Sequence, residues 1–347
     1  MAEERVRAAF ASQAGWCAKL GSPFTARLCT ILGERIDRAT AVGRRVLDWP
    51  GDPAPEADNV PARLCGALHF LARGGNAPAL ARLYPPTAVP DEEALWAEVA
   101  PVLEIHEETI DSFLDNAPQT NEIGRSSGLM AGLMVVAAAF PMPLRLFELG
   151  SSAGLNLLLD RYAHDLGGRM AGDPGSPVRL APSWAGPPPP QAEVRILDRR
   201  GVDLSPRDPR GDGGRLLAFV WADQTERLAR LEAALAIAAA SPPAVAQGDA
   251  GDWLERVLPA APREGAVRVV LHSLAFQYFP AATQRRIEAL MERLGREASG
   301  EAPLAWLRYE YLAAEEHASL RLRTWPGEER LLGWAHAHGR TMEWLGV

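Results

Sequence analysis

Lysine is almost absent from this chain of 347 residues, since Lys19 is the only one. P-loop nucleotide hydrolases need a lysine in a glycine-rich loop, protein kinases need one on a strand, and pyridoxal enzymes form a Schiff base with one. Lys19 lies in the string GWCAKL, which contains no glycine-rich loop. The first two classes are therefore excluded, and pyridoxal chemistry is not expected.

Cysteine is also scarce, and the three that occur are Cys17, Cys29 and Cys65. Their number is odd, and no two of them form the closely spaced pair that is typical of zinc and redox motifs. They are expected to be reduced, packed thiols, as in cytoplasmic proteins. We predict no metal site.

Long apolar runs and an excess of basic residues are missing as well. The longest apolar stretch, residues 128–144, contains two prolines and is shorter than the roughly 20 residues of a membrane span. The N-terminus is charged, unlike a signal peptide. Arg and Lys total 36 against 44 Asp and Glu, a net charge of −8. We therefore expect a cytoplasmic protein whose partner is a small molecule, neither nucleic acid nor a membrane.

The first 118 residues show helical periodicity. Apolar residues recur every three or four positions, the pair Ser22–Pro23 is typical of a helix start, and amphipathic segments follow at about 61–73 and 91–116. We predict an all-helical N-terminal lobe over residues 1–118.

From residue 119 onward, short apolar runs alternate with helical patterns, as in α/β domains. We predict an α/β domain over residues 119–347, with a Pro-rich, irregular insertion at about 167–191. Predicted strands lie at 144–149, 194–197, 244–247, 267–271 and 304–307, followed by an antiparallel hairpin at about 320–334 and a last segment at 342–345. Predicted helices run from the turn after the first strand to about 166, from a capping box at Asp223 and Glu226, and over 281–296.

The most informative string is FELGSSAGLN at residues 147–156. A strand ends in the acid Glu148, and two glycines, Gly150 and Gly154, then turn the chain into a helix. Glycine permits a sharp turn and close approach of a ligand, and a helix N-terminus presents free N–H groups. This pattern predicts a nucleoside site at the carboxyl edge of a parallel sheet.

Two functional hypotheses fit this turn, beside a plain strand-to-helix turn without a ligand. The first is an S-adenosylmethionine loop, held by Glu148 and the 150–154 backbone, including Ser151 and Ser152, with Asn156 at the helix start. The second is a serine hydrolase elbow with Ser152 as the nucleophile, because the string also fits G-x-S-x-G. The hydrolase is disfavoured because the preceding region is helical and no oxyanion-loop motif occurs in it.

Acids after later strands support the first hypothesis. Ribose hydroxyls are assigned to Glu148, or to Asp198 at the predicted end of the second strand, or to Asp203, the acid that competes with Asp198. Asp249 and Ala250, in the string QGDA, resemble a turn that contacts adenine. The competing interpretation is that Asp198 and Asp203 are ordinary surface turn residues.

Polar residues near other strand ends are candidates for the substrate side of the site. His272 ends the strand at 267–271 and is expected to orient or deprotonate the substrate, with Tyr278 and Glu310 as pocket walls. Asn121, Glu122 and Arg125 precede the first strand, and Arg125 could bind a carboxylate of the cofactor or the substrate. A buried structural histidine and a capped helix start are the competing interpretations.

Together, four strings resemble a bacterial family of unknown function, number 2332. They are NEIGRS from Asn121, ELGSSAGLN from Glu148, WADQ from residue 221, and His272–Ser273. The resemblance covers nearly the whole chain and implies a methyltransferase-like fold behind a helical lobe, without implying a reaction.

The fold expected is therefore α/β: a Rossmann-like class I methyltransferase sheet, parallel with an antiparallel C-terminal hairpin, plus the all-helical lobe. The function expected is S-adenosylmethionine-dependent methylation of a small molecule, with S-adenosylmethionine as the cofactor. The alternatives are a non-catalytic nucleoside-binding protein with the same fold and, third, the hydrolase using Ser152.

Overall fold

A computed structural model describes residues 2–311 and 317–346. The chain divides into two compact units, one formed by residues 1–120 with 211–232 and the other by residues 121–210 with 233–347. The predicted domains were 1–118 and 119–347. The structure therefore differs from that division mainly in giving the segment 211–232 to the helical unit.

The helices in chain order are α1 (Ala2–Lys19), α2 (Pro23–Arg35), α3 (Ala41–Leu47), α4 (Val60–Arg73), α5 (Pro78–Ala81), α6 (Glu92–Ile105), α7 (Glu107–Leu114), α8 (Ser126–Ala139), α9 (Gly213–Ala218), α10 (Thr225–Ala240), α11 (Ala250–Ala260) and α12 (Ala281–Arg296). Short 3-10 helices cover Ile123–Arg125, Leu155–Arg161 and Phe276–Tyr278. No helix in the described ranges is both long enough and apolar enough to cross a membrane.

The strands are β1 (Leu144–Leu149), β2 (Ala163–Leu166), β3 (Arg169–Gly172), β4 (Arg179–Leu180), β5 (Ser183–Ala185), β6 (Ile196–Asp203), β7 (Ala244–Gln247), β8 (Val267–Ser273), β9 (Leu304–Glu310), β10 (Ala318–Trp325), β11 (Glu329–Ala335) and β12 (Thr341–Trp344). A nine-stranded sheet has the order β5-β12-β11-β10-β9-β8-β1-β6-β7, and a three-stranded sheet has the order β3-β2-β4.

The helical unit is built around one apolar core to which α1–α7 contribute. The segment 211–232 completes it, because Ala218 and Ala222 belong to that core and Phe219 packs against it. Asp223 accepts hydrogen bonds from the hydroxyl of Ser22 and from the backbone N–H of Phe24, the latter at 2.8 Å. Its carboxylate therefore caps the N-terminus of α2. The predicted capping box was wrong in this respect, since Asp223 does not cap α10.

The large sheet resembles the Rossmann-like methyltransferase sheet that the sequence predicts. Strands β7, β6, β1, β8 and β9 are parallel, and β10, β11 and β12 follow as an antiparallel meander. The central strands β1, β8 and β9 are rich in apolar residues because both faces of the sheet are covered there, whereas β6 carries several charged residues. The antiparallel hairpin is confirmed, with β12 added to it.

The two faces of this sheet pack against different helices. Phe147, Val270 and Trp306 share a core with side chains of α11 and α12. On the other face, α8 approaches closely at Gly132, where a Cβ would lie 2.5 Å from Leu307. Since side chains alternate along a strand, Glu310 lies on the Trp306 face and Glu148 lies on the face opposite Phe147. The carboxyl edge of the sheet thus carries a glutamate on each face.

Three local predictions in the α/β unit were wrong. The helix expected to reach 166 is a 3-10 helix that ends at Arg161, and β2 follows it. The insertion at 167–191 is not wholly irregular, because it contains β3, β4 and β5, although its proline run lies outside them. The second parallel strand begins later and runs to Asp203, so its end was misplaced by several residues.

Candidate functional site

The turn after β1 is strained and tightly enclosed. Gly150, Ser152 and Gly154 have φ of +70°, +54° and +71°. A Cβ on Gly150 would lie 2.6 Å from the Cβ of Ala275, and one on Gly154 would lie 2.5 Å from Pro243. Glycine is therefore required at both positions for backbone conformation and for space. Ser152 adopts the same region at an energetic cost, as residues at functional sites often do.

The backbone amides of this turn already have acceptors within the chain. The N–H groups of Gly150 and Ser151 donate to the carbonyl of Val202, at 2.9 and 3.0 Å. The N–H of Ser152 donates to Asp203 Oδ2 at 2.8 Å, and that of Leu155 donates to Asn121 Oδ1 at 3.0 Å. The turn therefore does not present the row of free N–H donors that we expected to hold S-adenosylmethionine.

Glu148 lies at the tip of β1 and is buried, with 2% of its surface exposed. Burial, reinforced by the negative charge of Asp203, raises the pKa of Glu148 to about 8, and the Arg125 guanidinium opposes the shift. Its Oε2 atom has no hydrogen-bond partner among the described residues. Glu148 is therefore mostly protonated at neutral pH, and its carboxyl can donate a hydrogen bond to a ligand.

Asn156 supports Glu148 from the start of the 3-10 helix. Its side chain lowers the pKa of Glu148 by hydrogen bonding, and its Oδ1 accepts from the hydroxyl of Ser126 at 2.7 Å. Ser151 donates its hydroxyl hydrogen bond to the backbone oxygen of Glu148 at 2.9 Å. The side chains of Asn156 and Ser151 thus stabilise the turn and the acid at its start.

Of the two candidate ribose acids on β6, only Asp203 lies at the carboxyl edge. Asp203 ends β6 and accepts from the backbone of Ser152 and of Ser205. Asp198 pairs with Arg145 near the amino end of β1 and forms an ion pair with Arg200 at 2.9 Å. The placement of Asp198 at the end of its strand was therefore wrong, because β6 continues five residues further.

Asp249 and Ala250 follow β7 and begin α11. Asp249 Oδ1 accepts from the backbone N–H of Asp252 at 3.0 Å, and Oδ2 accepts from the Thr283 hydroxyl at 3.1 Å. Asp249 is therefore a helix N-cap. Gly248 before it lies beside the carbonyl of Asp203, to which its N–H donates at 3.0 Å. This arrangement brings the β6 and β7 ends together at the same edge.

Ser152 lacks the neighbour that a hydrolase needs. Its Oγ atom is buried and has no hydrogen-bond partner among the residues that the structure describes. An activated serine requires a base within hydrogen-bonding reach. No histidine within residues 2–311 and 317–346 fills that role in this arrangement.

His272 is fully buried, and both of its ring nitrogens are engaged. The Trp306 indole N–H, which can only donate, lies 3.0 Å from Nε2, so Nε2 accepts. Nδ1 therefore carries the hydrogen and donates to Glu310 Oε1 at 2.6 Å. In this arrangement no ring nitrogen is left for a substrate. We expected His272 to orient or deprotonate the substrate, but here it donates a hydrogen bond that orients Glu310.

Glu310 accepts two further bonds from the loop after β8. The backbone N–H groups of Ala275 and Phe276 donate to Oε1 at 3.0 and 3.1 Å. Leu274 precedes them with φ of +48°, which is rare for a bulky residue and turns the following amides toward Glu310. The sequence contains no signal for the strain at Leu274 or for the Trp306 contact, since both depend on strand pairing.

The remaining candidates lie at the same edge or on its surface. Asn121 caps the 3-10 helix at 155, and Glu122 accepts from the backbone of Gly124 at 3.0 Å. Arg125 donates to the carbonyls of Ser273 and Ala337, both at 2.8 Å. Tyr278 is 77% exposed. Within the described ranges, no group of three or more His, Cys, Asp or Glu side chains is placed to hold a metal ion.

A family model described as "Uncharacterized protein conserved in bacteria (DUF2332)" matches residues 7–344. The chain belongs to this family. The four strings that resemble it lie within the match, and the carboxyl edge of the large sheet, including β1, β6, β8 and β9, lies inside it too. No curated protein and no solved structure matches the chain significantly.

Proposed function

We propose that the chain is an S-adenosylmethionine-dependent methyltransferase that acts on a small molecule. The observation that carries the proposal is the pair of acids Glu148 and Asp203, which end β1 and β6 at the carboxyl edge of a methyltransferase-like sheet. Parallel α/β sheets bind nucleosides at this edge, and acids there accept hydrogen bonds from ribose hydroxyls.

The residues fit such a cofactor in part. Asp203 supplies acceptors for ribose, and the neutral carboxyl of Glu148 supplies a donor. Arg125, whose charge lowers the pKa of Glu148, is the cation that we assign to a carboxylate of the ligand, although its Nε and Nη1 atoms already donate to backbone carbonyls. The amides of Gly150 and Ser152 do not fit, because protein acceptors already engage them.

When bound, S-adenosylmethionine would supply an electrophilic methyl group. The chain would then contribute alignment and exclusion of water, which a buried edge favours. A non-catalytic nucleoside-binding protein is the second candidate. It is favoured by His272, which has no free ring nitrogen to take a proton.

Calorimetric titration with S-adenosylmethionine and S-adenosylhomocysteine tests the proposal. We expect the native protein to bind. In Asp203→Asn the affinity should fall about tenfold or more, since an ionised acceptor of ribose hydroxyls is removed. Asp198→Asn is the matched control in the same strand and should bind like the native protein. The absence of binding to either ligand would contradict the proposal.

Methyl transfer separates the two candidates. Incubation with methyl-labelled S-adenosylmethionine and a collection of small amines, alcohols and acids should give a labelled product with the native protein. Binding without any labelled product would favour the non-catalytic protein.

A further inference from the structure

The two carboxylate oxygens of Glu310 have very different surroundings. Oε1 accepts three hydrogen bonds, from His272 Nδ1 and from the backbone of Ala275 and Phe276. Oε2 is buried and has no hydrogen-bond partner among the described residues. A buried acceptor without a donor costs free energy, and the cost is larger for a charged group. The asymmetry therefore leaves Oε2 as an acceptor for a donor from outside the chain, such as a ligand or a water molecule.

The orientation of Glu310 is fixed by residues that contact it or its partner. Trp306 holds the tautomer of His272, so that Nδ1 always carries the hydrogen for Oε1. The strained backbone at Leu274 places two amides on the same oxygen. Oε1 is thus fully engaged and Oε2 is left for a ligand, which is how preorganised binding groups are built.

Aromatic side chains pack against His272, the ring that donates to this carboxylate. The Phe276 ring stacks on His272, with centroids 4.8 Å apart, and lies 5.6 Å from the Phe279 ring. Phe276 and Phe279 are half-buried, and Tyr278 between them is exposed. Aromatic faces attract cations, and carboxylates beside such rings recognise ammonium groups.

We infer that Oε2 of Glu310 binds the ammonium group of a small ligand beside Phe276 and Phe279. An ammonium donates hydrogen bonds and also neutralises a buried carboxylate, whereas an alcohol can donate a hydrogen bond but carries no charge. Oε2 is enclosed, and the short turn Phe276–Tyr278, whose Phe276 N–H donates to Oε1, follows the strand β8 next to Glu310. Gly150 contacts this loop at Ala275, so the ammonium site adjoins the turn after β1.

Two sources could supply the ammonium: the amino group of S-adenosylmethionine or the amine of a methyl acceptor. Assigning the group to either one rests on the proposed function, whereas the binding site itself does not. The probes are butylammonium, with butanol as its uncharged counterpart, and S-adenosylhomocysteine, with 5′-methylthioadenosine as the counterpart that lacks the amino acid end. Binding is followed by ligand-observed NMR and calorimetry.

The decisive variant is Glu310→Gln. Glutamine keeps an acceptor in the place of Oε1 and replaces Oε2 with an amide N–H₂, so the fold is retained while the free acceptor becomes a donor. Glu343→Gln, at an exposed position in β12, is the matched control. We expect affinity for the ammonium-bearing probe to fall about tenfold or more in Glu310→Gln and to be unchanged in the control.

The outcomes identify the source. Binding of butylammonium but not butanol, lost in Glu310→Gln while S-adenosylhomocysteine still binds, supports an acceptor amine. Tighter binding of S-adenosylhomocysteine than of methylthioadenosine, with the difference erased in Glu310→Gln, supports the cofactor amino group. If no adenosyl ligand binds but butylammonium does, the proposed function fails and the ammonium site stands. Equal binding of each ammonium probe by the native protein and Glu310→Gln, or no binding of either, overturns the inference.

Discussion

Glu148 and Glu310 end two parallel strands of one sheet, yet their surroundings differ. Glu148 is on the face opposite Phe147, and burial is the largest cause of its raised pKa. Glu310 is on the Trp306 face, and three donors converge on one of its oxygens. At Glu148, burial outweighs the hydrogen bond from Asn156 and favours a neutral carboxyl. At Glu310, three convergent donors fix the orientation of the side chain. At one edge of the sheet, Glu148 can thus donate a hydrogen bond to a ligand on one face, and Glu310 can accept one on the other face.

The largest effect that we expect from this difference is the dependence of the unfolding free energy on pH, which Glu148 should cause. Its pKa is about 8 in the folded chain against 4.5 for the ordinary group. The folded state therefore binds more protons than the unfolded state, and stability falls by roughly 1.4 kcal/mol per pH unit as pH rises between these values. Glu148→Gln should remove this contribution and be several kcal/mol more stable than the native protein at pH 8.

Denaturant unfolding at a series of pH values measures this effect. The exposed Glu343→Gln variant should retain the native pH dependence. Parallel curves for Glu148→Gln and the native protein would show that Glu148 is not a neutral buried acid.

The next largest effect concerns Glu310 and its donors. Glu310→Ala leaves His272 Nδ1–H and the amides of Ala275 and Phe276 without their acceptor and should cost about 3 kcal/mol of unfolding free energy. Glu310→Gln should cost less than about 1 kcal/mol, because an acceptor oxygen remains. Equal losses in the two variants would mean that these donors do not hold the side chain.

A smaller effect tests how Trp306 acts on His272. Trp306→Phe removes the donor to Nε2. It should lower the free energy of unfolding by about 1–2 kcal/mol, which includes the effect of the lost ring volume. Nitrogen-15 NMR of the imidazole should show hydrogen on Nδ1 in the native protein and a mixture of tautomers in the variant. Hydrogen on Nε2 in the native protein would contradict the assigned hydrogen bonds.

The smallest effect concerns the strained backbone beside Glu148. Ser152→Gly should raise the free energy of unfolding by up to about 1 kcal/mol, because glycine adopts φ of +54° without a Cβ penalty. Ser205→Gly, at a position without positive φ, should instead lose a few tenths of a kcal/mol or more. Thermal unfolding of the two variants compares them directly.

Regular elements could be predicted where a hydrophobic pattern spans the whole element. The strand 144–149 and the helix 281–296 were predicted with the observed bounds, because apolar alternation and helical periodicity continue to their ends. The end of β6 was misplaced because charged residues interrupt its apolar pattern. The structure accommodates two of them through ion pairs, Asp198 with Arg145 and Arg199 with Asp160. The short strands between 163 and 185 carry too few residues for any periodicity to appear.

The candidate site was only partly accessible to sequence reasoning. The acid and glycines of the 147–156 string indicate a strand-to-helix turn at a sheet edge, and the structure has that turn. The bonds that decide chemistry join residues far apart in sequence, such as Trp306 to His272 and Asn121 to Leu155. Nothing in local spacing specifies them, so the role given to His272 and the availability of the turn amides could not be foreseen.

The segment 211–232 has a consequence for the order in which the chain matures. Its Asp223 carboxylate caps α2, and its alanines and phenylalanine complete the helical core. A ribosome makes residues 1–120 well before it makes these, and β1 and β6 are synthesised in between. The helical unit therefore cannot reach its final packing first, although domains generally mature from the N-terminus. During synthesis the apolar surface of residues 1–120 stays incompletely covered until about a hundred further residues have been made, and chaperones are expected to bind the nascent chain in that period.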